Sequence, residues 1–347
     1  MENKNYTIIQ DINSVKPCSI DSIVTDVRNE IEFALDKSNW ANAYRVIKPG
    51  AYMLIISGNK FNHRIACAIE DVGFEIKDSL MWLYCSDNSE LQPDFSNIIM
   101  AKKPTDLSIL DNIELYGVGG INIDACRIES ENRTMPVNSK DIKQDDSIFT
   151  ELHKNIQRER VPTNVGRFPA NIILTYNDKD KDYMCKGFPI TTSNGGSGES
   201  SMKNTFANTY NGGWGHDKQA SHLGGLGDSG SAARYFYCAS RSKKDGDYNT
   251  PVSLLQYLVK MISPVGATVL DLCMGSGDIG KAVLYENKEN NSNYKYIAIE
   301  KSDVMITSAT NIFDYINNLK SNIEVVIDNK GTVKEVINNK VKQSKLF

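Results

Sequence analysis

The chain has 347 residues, of which 40% are hydrophobic and 24% charged, enough for one large or two moderate globular domains. Its formal net charge of −4 gives no overall attraction to nucleic acid, so a DNA-binding function would need a local basic face. No apolar run approaches the ~18 residues of a membrane span, and the N-terminus lacks the order of a signal peptide, which predicts a cytoplasmic protein. Seven cysteines without a C-x-x-C spacing predict reduced thiols and no metal site.

Residues with strand and helix spacing alternate in the first third of the chain. Ile31–Val46 has helical spacing and stops at Lys48-Pro49-Gly50, after which Tyr52–Ser57 is a strongly apolar strand. The other elements predicted here are strands at Tyr6–Ile9, Ser22–Thr25, Glu75–Tyr84 and Ile98–Lys102 and a helix at Lys60–Asp71. This alternation predicts an α/β fold with a parallel sheet and crossover helices.

The middle of the chain differs in composition. Residues 129–165 are polar and charged, as expected of a surface excursion, and Phe168–Thr175 then predicts one strand. Residues 191–231 are dominated by Gly, Ser and Asn and contain the isolated Trp214. Two interpretations stay open for this segment: a flexible loop, or a substrate-facing loop that becomes ordered on binding. Near the C-terminus, Ile323–Ile327 predicts an edge strand.

A glycine-rich stretch late in the chain predicts a cofactor site. Thr268–Ala282 reads TVLDLCMGSGDIGKA, the order of a strand, a tight turn with Gly275 and Gly277, and the start of a helix. Glycine lets a ligand approach the backbone N–H groups at a helix N-terminus. A second strand, Tyr294–Ile299, ends in Glu300, where nucleotide-binding folds place a carboxylate for ribose hydroxyls.

Six segments, read in chain order, resemble signatures of the permuted DNA amino-methyltransferases of phages and bacteria. They are DSIVTD, RVIKPGAYMLI, GGINIDACRIE, GRFPANIIL, SAARYFYCAS and TVLDLCMGSG, and together they sample about residues 20–310. The resemblance implies S-adenosylmethionine as cofactor and methylation of the exocyclic amine of adenine or cytosine in double-stranded DNA. It also implies a Rossmann-like sheet that is circularly permuted and carries a Gly/Asn/Ser-rich insertion.

The resemblance divides the chain into four parts. Residues 1–125 correspond to the catalytic half of the methyltransferase fold, and residues 126–235 to an insertion that includes the target-recognition region. Residues 236–318 form the cofactor-binding half, and residues 319–347 are a C-terminal extension. A homodimer, or a complex with a catalytic partner subunit, is left open by the sequence.

The catalytic signature of the family is changed in this chain. The family tetrapeptide D-P-P-Y or a close variant corresponds here to Asp26-Val27-Arg28-Asn29. In the family the acidic side chain and a proline carbonyl accept hydrogen bonds from the target amine, and the aromatic ring stacks on the flipped base. The resemblance therefore implies catalytic positions at Asp26 and Asn29. Arg28 is expected to turn to solvent or to a DNA phosphate, and Trp214 to provide a stacking surface on DNA.

The cofactor signatures are partly retained. The family D-P-F-x-G-S-G reads here Asp271–Gly277, with Cys273 in place of the phenylalanine, and only Pro251 remains of H-P-T-V-K-P, whose lysine is replaced by Thr250. The cofactor-binding residues implied by the resemblance and by the strand pattern are Asp271, Met274, Gly275, Ser276, Gly277, Glu300 and Pro251.

Three hypotheses follow from these substitutions. The chain is an active, divergent DNA methyltransferase in which Asp26 orients the amine and Trp82, Tyr84 or Trp214 replaces the missing ring. Alternatively, it is a catalytically inactive homologue that binds DNA or a catalytic partner, or a regulator or decoy made by a phage. Because the tetrapeptide has lost its ring and a proline carbonyl, we expect weak or no methyl transfer by the isolated chain.

Overall fold

A computed structural model provides the fold of the chain. It describes residues 4–84, 94–129, 133–136, 160–163, 166–176, 188–192, 229–240, 245, 250–319, 324–327 and 333–337. The chain divides into two compact units, the first formed by Met1–Arg127, Phe168–Gly187 and Phe236–Leu346 and the second mainly by Ile128–Arg167 and Phe188–Tyr235. No helix in these described ranges is long and apolar enough to cross a membrane.

The strands are numbered in chain order. They are β1 (Tyr6–Ile9), β2 (Ser22–Asp26), β3 (Tyr52–Ser57), β4 (Glu75–Tyr84), β5 (Asp94–Lys102), β6 (Arg133–Pro136), β7 (Arg160–Thr163), β8 (Ile172–Tyr176), β9 (Ile190–Thr192), β10 (Ser229–Ser231), β11 (Tyr237–Ser240), β12 (Thr268–Asp271), β13 (Lys295–Ile299), β14 (Glu324–Ile327) and β15 (Val333–Ile337).

Within the described residues, the helices lie in the first unit, apart from one short 3-10 helix of the second. They are α1 (Ile31–Leu35), α2 (Lys37–Val46), α3 (Asn62–Glu70), α4 (Ile109–Tyr116), α5 (Val252–Ile262), α6 (Asp278–Asn290) and α7 (Asp303–Asn318). Short 3-10 helices cover Ile12–Ser14, Asp124–Cys126 and Ala232–Tyr235.

Nine strands of the first unit form one sheet, in the order β1-β13-β12-β2-β3-β5-β4-β8-β11. All neighbours are parallel except β5, which is antiparallel to β3 and to β4. The expectation of a purely parallel sheet is therefore wrong at β5. The stretch between Tyr84 and Asp94 is shorter than the dozen or so residues that a parallel crossover needs, so the chain reverses there.

Two further expectations need correction, and a third is confirmed. The predicted helix Ile31–Val46 is two helices, because Asp36 adopts an extended conformation (φ −82°, ψ 110°) and its carboxylate caps α2 by accepting from the Ser38 N–H. The predicted strand Phe168–Thr175 begins only at Ile172. The predicted edge strand at Ile323–Ile327 is confirmed by β14, which pairs with β15 in a separate two-stranded sheet.

Helix α4 was not expected from the sequence, although its boundaries carry recognisable signals. The Ser108 hydroxyl accepts the Asp111 N–H at 3.2 Å and so caps the N-terminus. Gly117 ends the helix in the left-handed conformation, at φ +74°. In the second unit, β6 pairs with β7 and β9 with β10, both antiparallel.

Helices cover both faces of the main sheet. Successive side chains along each buried strand point to opposite faces, so each strand contributes apolar side chains to two cores. On one face, Val24 and Leu54 belong to a core that includes residues of α5, α6 and α7, namely Leu258, Val283 and Phe313. On the other face, Ile23 and Met53 belong to a core with residues of α1, α2 and α3, namely Ala34, Trp40 and Ile65. The carboxyl ends of β2, β12 and β13 therefore meet at one edge, between two helix layers.

Gly280 of α6 packs closely against Phe313 of α7 and Tyr296 of β13. A Cβ atom at Gly280 would lie 2.2 Å from Phe313 Cζ and 2.7 Å from Tyr296 Cε1. Gly280→Ala is therefore expected to lower the free energy of unfolding by about 1–3 kcal/mol, measured by urea denaturation.

Gly58→Ala is the matched control for this change, since a Cβ atom at Gly58 would meet no atom within 4 Å. It should leave the urea midpoint nearly unchanged. Equal midpoints for the two variants would show that α6 is not packed as closely as described.

Candidate active site

The turn after β12 contains two glycines with different surroundings: Gly277 packs against Phe313, and Gly275 faces open space. A Cβ atom at Gly277 (φ +81°) would lie 2.8 Å from Phe313 Cζ, so this glycine is needed for packing. Gly275 (φ +51°) would place a Cβ atom where no atom lies within 4 Å. The turn is fixed to β13, because the Met274 N–H donates to the Ile299 carbonyl at 3.1 Å. The backbone at Gly275 is therefore rigidly held and open on one side.

Glu300 follows β13 and lies against this turn. Its Oε2 accepts the Gly275 N–H at 3.0 Å, and its Oε1 accepts the N–H groups of Lys301 at 2.9 Å and Ser302 at 2.8 Å. The carboxylate is half-buried. The parallel pairing of β12 with β13 brings Glu300 to the turn, at the position expected from the strand pattern. Oε2 keeps one lone pair that no protein donor described here uses.

Asp271 lies beneath the turn and is fully buried. Its Oδ1 accepts the Thr25 hydroxyl at 2.9 Å and the Cys273 N–H at 3.1 Å, and its Oδ2 accepts the Tyr296 hydroxyl at 2.9 Å. These bonds connect β2, β12 and β13. Burial raises the pKa of the Asp271 carboxyl to about 7, although the three hydrogen bonds oppose the shift. Since no part of Asp271 reaches the surface, we expect it to position the turn and not to contact a ligand.

The other residues expected to bind a cofactor differ in their exposure. Ser276 is exposed, and its hydroxyl donates to Asp278 Oδ2 at 3.0 Å. Met274 is buried beside the turn, and Pro251 is buried where α5 begins. Their roles as ligands remain predictions.

Cys273 is half-buried at this edge of the sheet. Burial raises the pKa of its thiol, and so do the negative charges around it, those of Asp271, Glu30, Glu300 and Asp26. Asp26 and Glu300 come from distant parts of the sequence, and the parallel pairing of β2 and β13 with β12 brings the carboxyl ends of their strands to the same edge of the sheet.

Asp26 stands at the carboxyl end of β2, which pairs directly with β12. Its carboxylate is held by Arg28, whose Nε lies 2.9 Å from Oδ1 and whose Nη2 lies 2.6 Å from Oδ2. The Arg28 N–H also donates to Oδ1 at 3.1 Å. Burial lowers the pKa of Arg28, but the charge of Asp26, the hydrogen bonds to Asp26 and the interaction with Tyr84 together outweigh burial, so the pKa lies above the usual value. The Arg28 guanidinium is therefore charged at neutral pH.

Two aromatic residues stand beside this ion pair. The guanidinium carbon of Arg28 lies 5.0 Å from the centre of the Trp82 ring. Trp82 is 2% exposed, donates its Nε1–H to the Thr175 hydroxyl at 2.5 Å and packs against Tyr84 at 4.7 Å between ring centres. Asn29, by contrast, is exposed. Trp214, the other aromatic candidate, lies outside the described residues.

Sequence reasoning missed Thr25 and Tyr296, the hydroxyl donors to Asp271. A buried carboxyl group at a strand end needs hydrogen-bond donors, and these come from the strands on either side. That general rule was available from the sequence. The identity of the two donors was not, because it depends on which strands become neighbours of β12.

The raised pKa of Asp271 predicts a pH dependence of stability. The carboxyl has a pKa of about 7 in the folded chain against 3.8 when unperturbed, so the folded state favours its protonated form. Its contribution to stability is complete below about pH 4 and is lost as the pH rises through about 7. Urea midpoints should therefore fall less steeply between these pH values in Asp271→Asn than in the wild-type protein. If the urea midpoints of the two proteins change equally with pH, the raised pKa of Asp271 is contradicted.

Sequence similarity to known proteins extends over most of the chain. A sequence model of the N6/N4 methyltransferase family, described as DNA methylase, matches residues 28–311. Type II methyltransferase M.HindIII of Haemophilus influenzae is 40% identical over 45 residues, which are 13% of this chain and 15% of that relative. The relative is therefore matched over only a small part of its length.

Two solved structures are similar over most of the chain. The crystal structure of M1.HpyAVI is 14% identical and covers 91% of this chain and 100% of its own, with a TM-score of 0.42. TTHA0409 of Thermus thermophilus, a putative DNA modification methylase complexed with S-adenosyl-L-methionine, is 13% identical and covers 91% and 97%, with a TM-score of 0.44. Because the family match at residues 28–311 covers most of the 347 residues, this chain belongs to the N6/N4 DNA methylase family.

Proposed function

We propose that this protein transfers a methyl group from S-adenosylmethionine to the exocyclic amine of adenine or cytosine in double-stranded DNA. The observation that carries the proposal is the position of Asp26. It ends β2, the strand next to β12, whose glycine turn holds Glu300. An acceptor for an amine and an acceptor for a ribose thus lie at the same edge of the sheet, where open α/β sheets bind ligands.

The residues at the turn fit the cofactor. Gly275 leaves the backbone open where a side chain would otherwise stand, and Glu300 has a free acceptor position for a ribose hydroxyl. Gly275 and Glu300 would hold the nucleoside, with Ser276 exposed beside them. When bound, S-adenosylmethionine supplies an electrophilic methyl group on a sulfonium.

Asp26 orients the amine of the target base, which is the nucleophile. An oxygen of its carboxylate accepts an N–H of the target amine and so directs the nitrogen lone pair away from the ring plane. The negative charge also stabilises the positive charge that develops on the nitrogen during attack. The Thr250 hydroxyl, 3.4 Å from Asp26 Oδ2, lies close enough to hold this carboxylate in place.

We also propose that the sheet is circularly permuted and that the middle of the chain reads the target. In support, β1 and β2 flank the β13-β12 pair although they come from the opposite end of the chain. The proposed parts are the catalytic half at 1–125, the recognition insertion at 126–235, the cofactor half at 236–318 and the extension at 319–347. Trp214 and Arg28 are proposed to contact the DNA.

A second candidate function rests on a specific observation at Asp26. Arg28 occupies its oxygen atoms, and the exposed Asn29 offers no ring for a base. These features favour a homologue without catalytic activity, which binds DNA or a catalytic partner. The two candidates differ in one measurable property, which is transfer of the methyl group.

Transfer of labelled methyl from S-adenosylmethionine to mixed-sequence DNA tests the proposal. The wild-type protein should label DNA at a low rate, and Asp26→Asn should reduce that rate by at least about a hundredfold, because the amide lacks the charge that stabilises the attacking nitrogen. Asp71→Asn, at an exposed aspartate paired with Lys37, is the control and should keep the wild-type rate. A wild-type protein that binds the cofactor but never labels DNA would support the second candidate.

Calorimetric binding of S-adenosylmethionine tests the role of Glu300. Glu300→Ala should weaken binding by roughly 10- to 100-fold, since a hydrogen bond to a charged group contributes about 1.5–3 kcal/mol. Glu70→Ala, at an exposed glutamate that ends α3, should bind like the wild-type protein. Equal affinity in both variants would place the ribose elsewhere.

A further inference from the structure

The contact between Arg28 and Asp26 is more extensive than a single ion pair. Oδ1 accepts the Arg28 backbone N–H at 3.1 Å and Nε at 2.9 Å. Oδ2 accepts Nη2 at 2.6 Å and lies 3.4 Å from the Thr250 hydroxyl. A carboxylate offers about four acceptor positions, and all are directed at these donors. Asp26 can therefore accept a target amine only after Arg28 has left.

Arg28 is held from its other side as well. Its Nη2 donates to the Thr250 hydroxyl at 2.5 Å, and its guanidinium carbon lies 5.0 Å from the Trp82 ring centre, within the range of a cation–π contact. The Trp82 ring cannot easily turn away, because its Nε1–H is bonded to Thr175. The guanidinium is therefore clamped between a carboxylate, a hydroxyl and an aromatic ring.

Two of these contacts, with the carboxylate and with the aromatic ring, are ones that an amino-bearing base would also need. Adenine and cytosine each present an amidine edge, a planar carbon bearing an NH₂ group and a ring nitrogen. A guanidinium is also planar, carries NH₂ groups on the same type of carbon and stacks on aromatic rings. Arg28 thus places an N–H donor on Asp26 and a flat face near Trp82.

We propose that Arg28 is a built-in occupant of the target-amine site, which a base must displace before it can reach Asp26. This inference rests on the proposed function, because it assigns the site that Arg28 fills. The Arg28 side chain is 25% exposed, so it can rotate outward without opening the core. Once outside, its charge needs a new partner, and a phosphate matches the guanidinium with two hydrogen bonds. Access to the site is therefore coupled to the presence of a nucleic-acid backbone.

The proposal is tested by binding of free nucleosides, which carry the base without a phosphate to draw Arg28 outward. Deoxyadenosine, deoxycytidine and thymidine are titrated into the wild-type protein and into Arg28→Ala, with saturation-transfer NMR as readout. Arg28→Ala should bind deoxyadenosine or deoxycytidine at least about tenfold more tightly than the wild-type protein. Thymidine, which has no exocyclic amine, should show no gain, and methylguanidinium should compete with the nucleoside that binds.

Two further variants make the test decisive. Arg127→Ala removes another arginine that pairs with an aspartate, Asp124, and should bind nucleosides like the wild-type protein. Arg28→Lys keeps the charge that Asp26 requires but lacks the planar fork, so its gain should be intermediate. If Arg28→Ala does not fold, the nucleoside affinity of Arg28→Lys is compared with that of the wild-type protein. An affinity of Arg28→Lys no higher than that of the wild-type protein overturns the proposal.

The outcome separates this inference from the proposed function. Equal nucleoside binding by all folded proteins, or an equal gain for thymidine, overturns the role of Arg28 even if the wild-type protein methylates DNA. A gain in affinity that is restricted to amino-bearing nucleosides supports the proposed role of Arg28, even if no methyl transfer is found. In that case only the proposed reaction is contradicted.

Discussion

The site depends on one buried carboxyl group that connects three strands. Asp271 accepts hydroxyl groups from Thr25 of β2 and Tyr296 of β13, and it also holds the turn through the Cys273 N–H. Thr25 precedes Asp26, and Tyr296 lies on the strand that leads to Glu300. The network therefore fixes the spacing between the proposed amine acceptor and the proposed ribose acceptor. Burying a carboxyl group costs free energy unless its hydrogen bonds are satisfied, so the three donors are required as a set.

Local features of the fold could be predicted from the sequence, because they depend on neighbouring residues. The strand Tyr52–Ser57 was predicted with its observed bounds, and Glu300 was expected at the glycine turn. The break at Asp36 and the reversal into β5 were not predicted, because a capping aspartate and a short connection override a continuous apolar pattern. The occupation of Asp26 by Arg28 was missed as well, since sequence reasoning directed that side chain to solvent or to phosphate.

If Asp26–Asn29 correspond to the family tetrapeptide, as proposed, the Asp26–Arg28 pair fills the acceptor of this site and does not remove it. A proline at position 28 would leave the carboxylate with free acceptor positions, whereas arginine fills them with charged donors. Each partner is half-buried, so removal of one leaves the other with an uncompensated charge. The two positions are therefore energetically coupled, and their substitutions should not be additive.

A crystal structure with sinefungin, a non-reactive analogue that carries an amine in place of the methyl sulfonium, tests the central claim most directly. The account predicts that a ribose hydroxyl donates to Glu300 and that the analogue lies along the backbone at Gly275. It also predicts that the amine points towards the end of β2 that bears Asp26. An analogue bound elsewhere, or bound at Gly275 with its amine directed away from Asp26, would contradict the account.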